Sequence, residues 1–189
     1  MSKTALNVRS KGLKRGAFIV LPVLFVVFLG WGLAAKGRTV GEGDAAPNFT
    51  AQSFEGKSVT LSEFRGRPVV INFWSSNCIT CREEAAALAA AHRRYSPEGL
   101  VMIGINSEDL RSDAEEYLGR YGIEYLNVRD PSSRITRGLY GMAKFPETLL
   151  IDDEGVVRSK VLGPLKGAEI DSKFRRLIEV SRSDGASGR

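Results

Sequence analysis

Val69-Val70-Ile71-Asn72-Phe73-Trp74-Ser75-Ser76-Asn77-Cys78-Ile79-Thr80-Cys81 decides how this chain is read. Residues 69–74 are nearly all apolar, as a strand buried on both faces requires. Residues 82–95 follow with an alanine-rich, helix-forming composition. Between them stands a Cys-x-x-Cys that holds the only two cysteines of the 189 residues. A strand that delivers two cysteines to a helix start is the layout of a dithiol/disulfide redox site.

The chemistry suits those positions. The thiolate is the attacking species in disulfide exchange, and an unperturbed cysteine, with a pKa of about 8.5, is mostly protonated at neutral pH. Unpaired N–H groups and the positive dipole end at a helix N-terminus favour the anion. Ser75, Ser76 and Asn77 supply N-cap candidates. Cys78 is therefore read as the exposed nucleophile, with Cys81, one turn on, resolving the mixed disulfide. A structural staple is the bland alternative, but so short a loop restricts the unfolded chain little. Zinc is the other, but two thiolates and the single histidine, His92, do not close a four-ligand set. His92 itself reads as a solvated residue on a polar helix face. Trp74, four residues before Cys78, reads either as core or as the floor of the site. Glu84 has two readings as well. With Glu83 it is a first-turn acid that complements the helix dipole, or it points back at the cysteines, where burial raises its pKa and lets it exchange protons with Cys81. The Phe145-Pro146 bond is left open as cis or trans.

The compartment is written in the N-terminus. Lys and Arg number 27 against 22 Asp and Glu, a net charge of +5. Lys3, Arg9, Lys11, Lys14 and Arg15 all precede residue 17 with no acid among them, so the remainder is balanced. No basic stripe marks a nucleic-acid partner. Residues 17–35 (AFIVLPVLFVVFLGWGLAA) carry no charge, and as a helix would span about 28 Å, close to a bilayer's hydrocarbon thickness. Trp31 sits where an interfacial aromatic belongs, and the basic residues 1–16 put the N-terminus in the cytoplasm. A cleaved signal peptide ending at Ala34 or Ala35 is the competing reading. The run is longer than a usual signal core and its small-residue site is poor, so an uncleaved, single-pass anchor is preferred. A core helix is disfavoured, because the run is apolar on every face. Anchor and signal peptide both place the domain outside the cytoplasm.

Residues 36–45 read as a linker, 46–180 as one folded domain and 181–189 as a disordered polar tail. Within the domain, short strands are predicted over 49–53 and 58–61, with a helical turn at 61–66. A buried strand follows over 100–105, a helix over 110–121, a strand over 125–128 and a short helix over 132–140, capped by Gly141. A hairpin of 148–151 and 156–162 turns at Asp152-Asp153-Glu154-Gly155. A helix over 166–180 ends the domain. This order implies an α/β domain: a mixed central sheet with helices on both faces and the dithiol at its rim.

Several motifs together resemble the membrane-anchored thioredoxin-like proteins of the TlpA/ResA/CcmG (DsbE) group. They are Ala46-Pro47-Asn48-Phe49, Leu61-Ser62-Glu63-Phe64-Arg65-Gly66-Arg67, Val70-Ile71-Asn72-Phe73-Trp74, Cys78-Ile79-Thr80-Cys81-Arg82-Glu83-Glu84 and Phe145-Pro146-Glu147-Thr148-Leu149-Leu150-Ile151-Asp152. Pro-Glu-Thr and Leu162-Gly163-Pro164-Leu165 are most similar to the CcmG branch. The resemblance implies a thioredoxin fold with Pro146 cis and facing the dithiol, and an acid at Glu84 beside it. Glu147 matches the residue after the cis-proline in CcmG-like members. Asn77 departs from the pattern, which has Trp there. The implied function is an extracytoplasmic, membrane-bound thiol–disulfide oxidoreductase that reduces apocytochrome c disulfides during cytochrome c maturation. A CcdA/DsbD-type membrane carrier would re-reduce it, with no cofactor beyond the Cys78–Cys81 pair and no metal. The rivals are a general oxidant or reductant of exported proteins and a non-catalytic adaptor.

Overall fold

A computed structural model describes residues 39–187. The basic tail, the membrane segment 17–35, residues 36–38, and residues 188 and 189 lie outside the described residues. Among the described residues no helix is long and apolar enough to cross a membrane.

The predicted central strand is the axis of the sheet. β3 (Val69–Trp74) is buried along its whole length. A hairpin of β1 (Thr50–Gln52) and β2 (Ser58–Thr60) precedes it, followed by a 3-10 turn at Leu61–Phe64. Helix α1 (Ile79–Tyr95) carries the chain from β3 to β4 (Val101–Ser107), and α2 (Arg111–Arg120) carries it on to β5 (Leu126–Asp130). A π-helix at Arg134–Leu139 leads to β6 (Glu147–Ile151) and β7 (Val157–Leu162), and α3 (Gly167–Ser187) closes the chain. The five-stranded sheet has the order β5-β4-β3-β6-β7. β3, β4 and β5 run parallel, and β6 and β7 are antiparallel to their neighbours. The mixed sheet is thus as the sequence predicts.

Alternation along β3 sorts the core into two layers. Ile71 and Phe73 pack with Phe49, Val59, Leu61, Ile135 and Tyr140. Val70 packs on the other side with Leu88, Tyr95 of α1 and Phe174, Leu177 of α3. Trp74 points to that same side and meets Ala114 and Tyr117 of α2. Helices do lie on both faces, but unequally. All three α-helices share one face, and the other is covered by the hairpin, the 3-10 turn and the π-helix. The sequence's short helix over 132–140 is this π-helix. Asp130 secures its start by accepting the Ile135 and Thr136 N–H groups at 3.1 and 2.7 Å.

Two boundaries differ from the sequence reading. Residues 40–45 belong to the domain rather than to a linker. Val40 is buried in the core, and the Gly43 N–H donates to the Val157 carbonyl at 2.8 Å while the Val157 N–H donates to Asp44 at 2.9 Å. This segment covers the outer edge of β7 and satisfies edge groups that would otherwise be open. At the other end α3 continues to Ser187, through most of the tail predicted to be disordered. Ser181 is buried and Arg182 reaches back to Glu98, so tertiary contacts extend the helix where composition alone argues against it.

Candidate active site

β3 ends at Trp74, and the next three residues form a tight loop in which the Cys78 N–H donates to the Ser75 carbonyl at 3.1 Å. The sequence offers Ser75, Ser76 or Asn77 as the helix cap. In the structure Cys78 is itself the N-cap of α1, with extended backbone, and its sulfur accepts the Cys81 N–H at 3.1 Å. The serines are occupied elsewhere. Ser75 Oγ donates to Asp109 at 2.9 Å, and Ser76 donates to the same carboxylate through its N–H at 2.6 Å and its Oγ at 2.9 Å. Arg82 donates twice to the Ser76 carbonyl. Asn77 is left exposed beside the first cysteine.

Cys78 and Cys81 are joined as a disulfide, with Cα atoms 5.2 Å apart. Their surroundings are unequal. Cys81 is 0 % exposed, whereas Cys78 reaches the surface. The Thr80 hydroxyl lies 3.4 Å from the Cys78 sulfur. The Cys81 carbonyl accepts the Tyr117 hydroxyl at 2.8 Å, which ties α2 to the dithiol turn. Trp74 stacks on Tyr117 with centroids 4.5 Å apart and shares a cluster with Cys81, against which Cys78 packs. Trp74 is therefore both core and floor. Its indole N–H donates to Asn127 at 2.9 Å across β4, where Gly104 leaves room. A Cβ at Gly104 would collide with the Asn127 carboxamide and the Trp74 nitrogen.

Glu84, one turn after Cys81, is buried among polar partners. It accepts from Asn72 Nδ2 at 2.8 Å and from the Leu165 N–H at 2.7 Å, and Asn72 also donates to Thr148 at 3.0 Å. Burial pushes the Glu84 pKa up to about 7, against the lowering effect of its two hydrogen bonds. Such a carboxyl changes protonation near neutrality, as a proton exchanger must.

The Phe145-Pro146 bond is cis. Phe73 pairs with Glu147, so one step along the ladder Pro146 lies alongside Trp74, at the strand end that feeds the dithiol. Phe145 packs against the cluster containing Cys81. Glu147 points to the opposite face of the sheet. There it accepts the Ala143 and Lys144 N–H groups at 3.2 and 3.4 Å and pairs with Lys160 at 3.0 Å. It braces the loop that carries Phe145 and Pro146. His92 is distant from this chemistry. It is half-buried rather than fully solvated, its ring 5.8 Å from that of Tyr125, and desolvation pushes its pKa down.

Sequence reasoning missed Asp109, Tyr117, Asn127 and the Asn72–Thr148 pair. Asn72 did leave a signal, as the one polar residue in an apolar strand.

Fold and dithiol together define a class: a thioredoxin-like thiol–disulfide oxidoreductase. Comparison with known proteins places the chain further. Residues 42–160 match the AhpC/TSA family, and the chain belongs to it. The thiol-disulfide oxidoreductase ResA of Bacillus subtilis (strain 168) is 26% identical over 178 residues, covering 91% of this chain and 98% of ResA. The thiol:disulfide interchange protein DsbE of Pseudomonas fluorescens biotype C is 30% identical over 186 residues, covering 90% of this chain and 99% of DsbE. A solved DsbE-type structure from Chlorobium tepidum matches with a TM-score of 0.68 at 26% identity, over 74% of this chain and 99% of its own.

Proposed function

We propose that this oxidoreductase works as a reductant outside the cytoplasm, tethered to the cell membrane by residues 17–35, and that its substrate is the haem-attachment Cys-x-x-Cys-His of an apocytochrome c. The observation that carries the thiol–disulfide exchange chemistry is the pairing of a partly exposed cysteine at a helix N-cap with a wholly buried partner one turn on. The reducing direction and the choice of substrate rest on the resemblance to the TlpA/ResA/CcmG group.

In the reduced state Cys78 would be the thiolate, stabilised by the Cys81 N–H and the helix terminus. It attacks one sulfur of the substrate disulfide, forming a mixed disulfide and releasing one substrate thiolate. Cys81 then loses its proton, for which Glu84 is the acceptor, and attacks Cys78. The Cys78–Cys81 disulfide closes and the second substrate thiolate leaves. The substrate gains two electrons and the enzyme loses two. A CcdA/DsbD-type membrane carrier would return them. The Phe145-Pro146 loop would form the surface on which an extended substrate lies, with Trp74 packed beneath the dithiol.

The test is capture with Cys81→Ser in the native host, because this variant attacks but does not release. Apocytochromes, or proteins that assemble them, covalently trapped and identified by mass spectrometry are the expected result. A broad set of exported proteins would instead make the chain a general oxidoreductase. No mixed disulfide at all would make it a static adaptor.

A further inference from the structure

We infer that Asp109 is the positioning residue for the nucleophile: with Arg82 it fixes the loop from which Cys78 projects, and so keeps the Cys78 sulfur at the helix N-terminus. This rests on reading Cys78 as the attacking sulfur.

Ser76 is held at three polar atoms. Its N–H and Oγ donate to Asp109, and its carbonyl accepts both Nε and Nη2 of Arg82 at 3.0 and 2.8 Å. Ser75 is held through its side chain by the same carboxylate. Asp109 is in turn oriented by Asn106 Nδ2, which donates to it at 2.5 Å from the end of β4. Four donors converge on one carboxylate only 9% exposed, and hydrogen bonds to an ionised acceptor are the strong kind. Asp109 makes no hydrogen bond to either cysteine, so whatever it does to Cys78 passes through the loop or through its charge. The loop sets whether the Cys78 sulfur meets the Cys81 N–H.

The two routes have opposite signs. A carboxylate near a thiol raises the thiol's pKa, so losing its charge alone would lower it. Losing the clamp lets the sulfur leave its N–H donor, and so raises the pKa. The other ionisable groups that face the turn are Arg82 on α1 and Asp113, Glu116, Tyr117, Arg120 and Tyr121 of α2 and its C-terminus, with Glu84 behind Tyr117, and the variants leave all of them in place.

The experiment is alkylation of the full chain with iodoacetamide as a function of pH, in a Cys81→Ala background that leaves Cys78 as the single thiol and keeps the backbone N–H. Asp109→Ala is expected to raise the midpoint and slow alkylation at neutral pH by about three- to tenfold, since one pKa unit is a tenfold change in thiolate fraction. Ser76→Ala removes one link and keeps the charge. It is expected to shift the midpoint in the same direction by less, and it serves if Asp109→Ala fails to fold. A midpoint that falls in Asp109→Ala overturns the inference in favour of direct charge. A lowered melting temperature with unmoved midpoints overturns it in favour of a purely structural role. Separately, a parent thiol that titrates at an ordinary value and forms no mixed disulfide with a peptide disulfide would sink the nucleophile assignment itself.

Discussion

Glu84 accepts two N–H donors, yet burial keeps its pKa near 7. The consequence for stability has a definite sign. Between pH 4.5 and about 7 the unfolded chain has released this proton and the folded chain has not. The folded state therefore binds more protons, and stability falls as pH rises through that window. Over the whole interval the effect is on the order of 3 kcal/mol by linkage. Glu84→Gln, which does not titrate, should flatten this slope in urea unfolding between pH 4.5 and 8. It should also alter the pH dependence of mixed-disulfide release, the step assigned to Cys81. An unchanged slope would show that Glu84 is ionised in the fold throughout. Cys78, Cys81, Trp74 and Glu84 were legible in the sequence because they lie within eleven residues of one another on a single strand–helix unit. Asp109 and Tyr117 were not, since their contacts to that unit span 33 and 36 residues and depend on how β4 and α2 pack.

At the level of elements, periodicity and turn residues located every strand of the hairpins and the sheet. They did not settle element type where tertiary contacts decide it. Residues 134–139 carry a helical composition, but the backbone adopts the wider π form, held at its start by Asp130. The end of α3 follows the same logic. Ser181 is buried and the Arg182 guanidinium lies 3.8 Å from the Glu98 carboxylate, so the helix is retained past residue 180. Deleting residues 181–189 should cost less than about 1 kcal/mol, the scale of an exposed ion pair, because the buried Ser181 hydroxyl has no hydrogen-bond partner among the described residues to offset its desolvation. A lowered urea midpoint would show it. An unshifted midpoint would mean that the segment adds nothing to the domain, as the composition of a disordered tail implies.

For the molecule as a whole, the order of elements made a mixed α/β sheet legible. The uneven covering of its faces was not, because nothing local states that a hairpin replaces an α-helix on one side. Folding and reduction form a closed thermodynamic cycle, so the direction of electron flow is readable from stability. Strong oxidants of this chemistry are those whose reduced form is the stabilised one. The reductant role proposed for this chain predicts the reverse: the oxidised protein should unfold at a higher urea concentration than the reduced protein. A more stable reduced form would turn the assignment towards an oxidant. A measured potential near −270 mV rather than −120 mV would agree with the proposed direction, those being the values of a typical reductant and a strong oxidant.

The unequal depth of the two sulfurs also governs how the reduced site withstands peroxide. Cys78 is partly exposed and Cys81 is wholly buried, so the first oxygen lands on Cys78 as a sulfenic acid. Cys81 stands one turn away and condenses with it, expelling water and forming the ordinary disulfide. That condensation consumes the sulfenic acid, which a second oxygen would otherwise carry to the irreversible sulfinic acid. Burying one thiol thus routes oxidation of the reduced centre to the disulfide, from which the same reductant that serves catalysis recovers it.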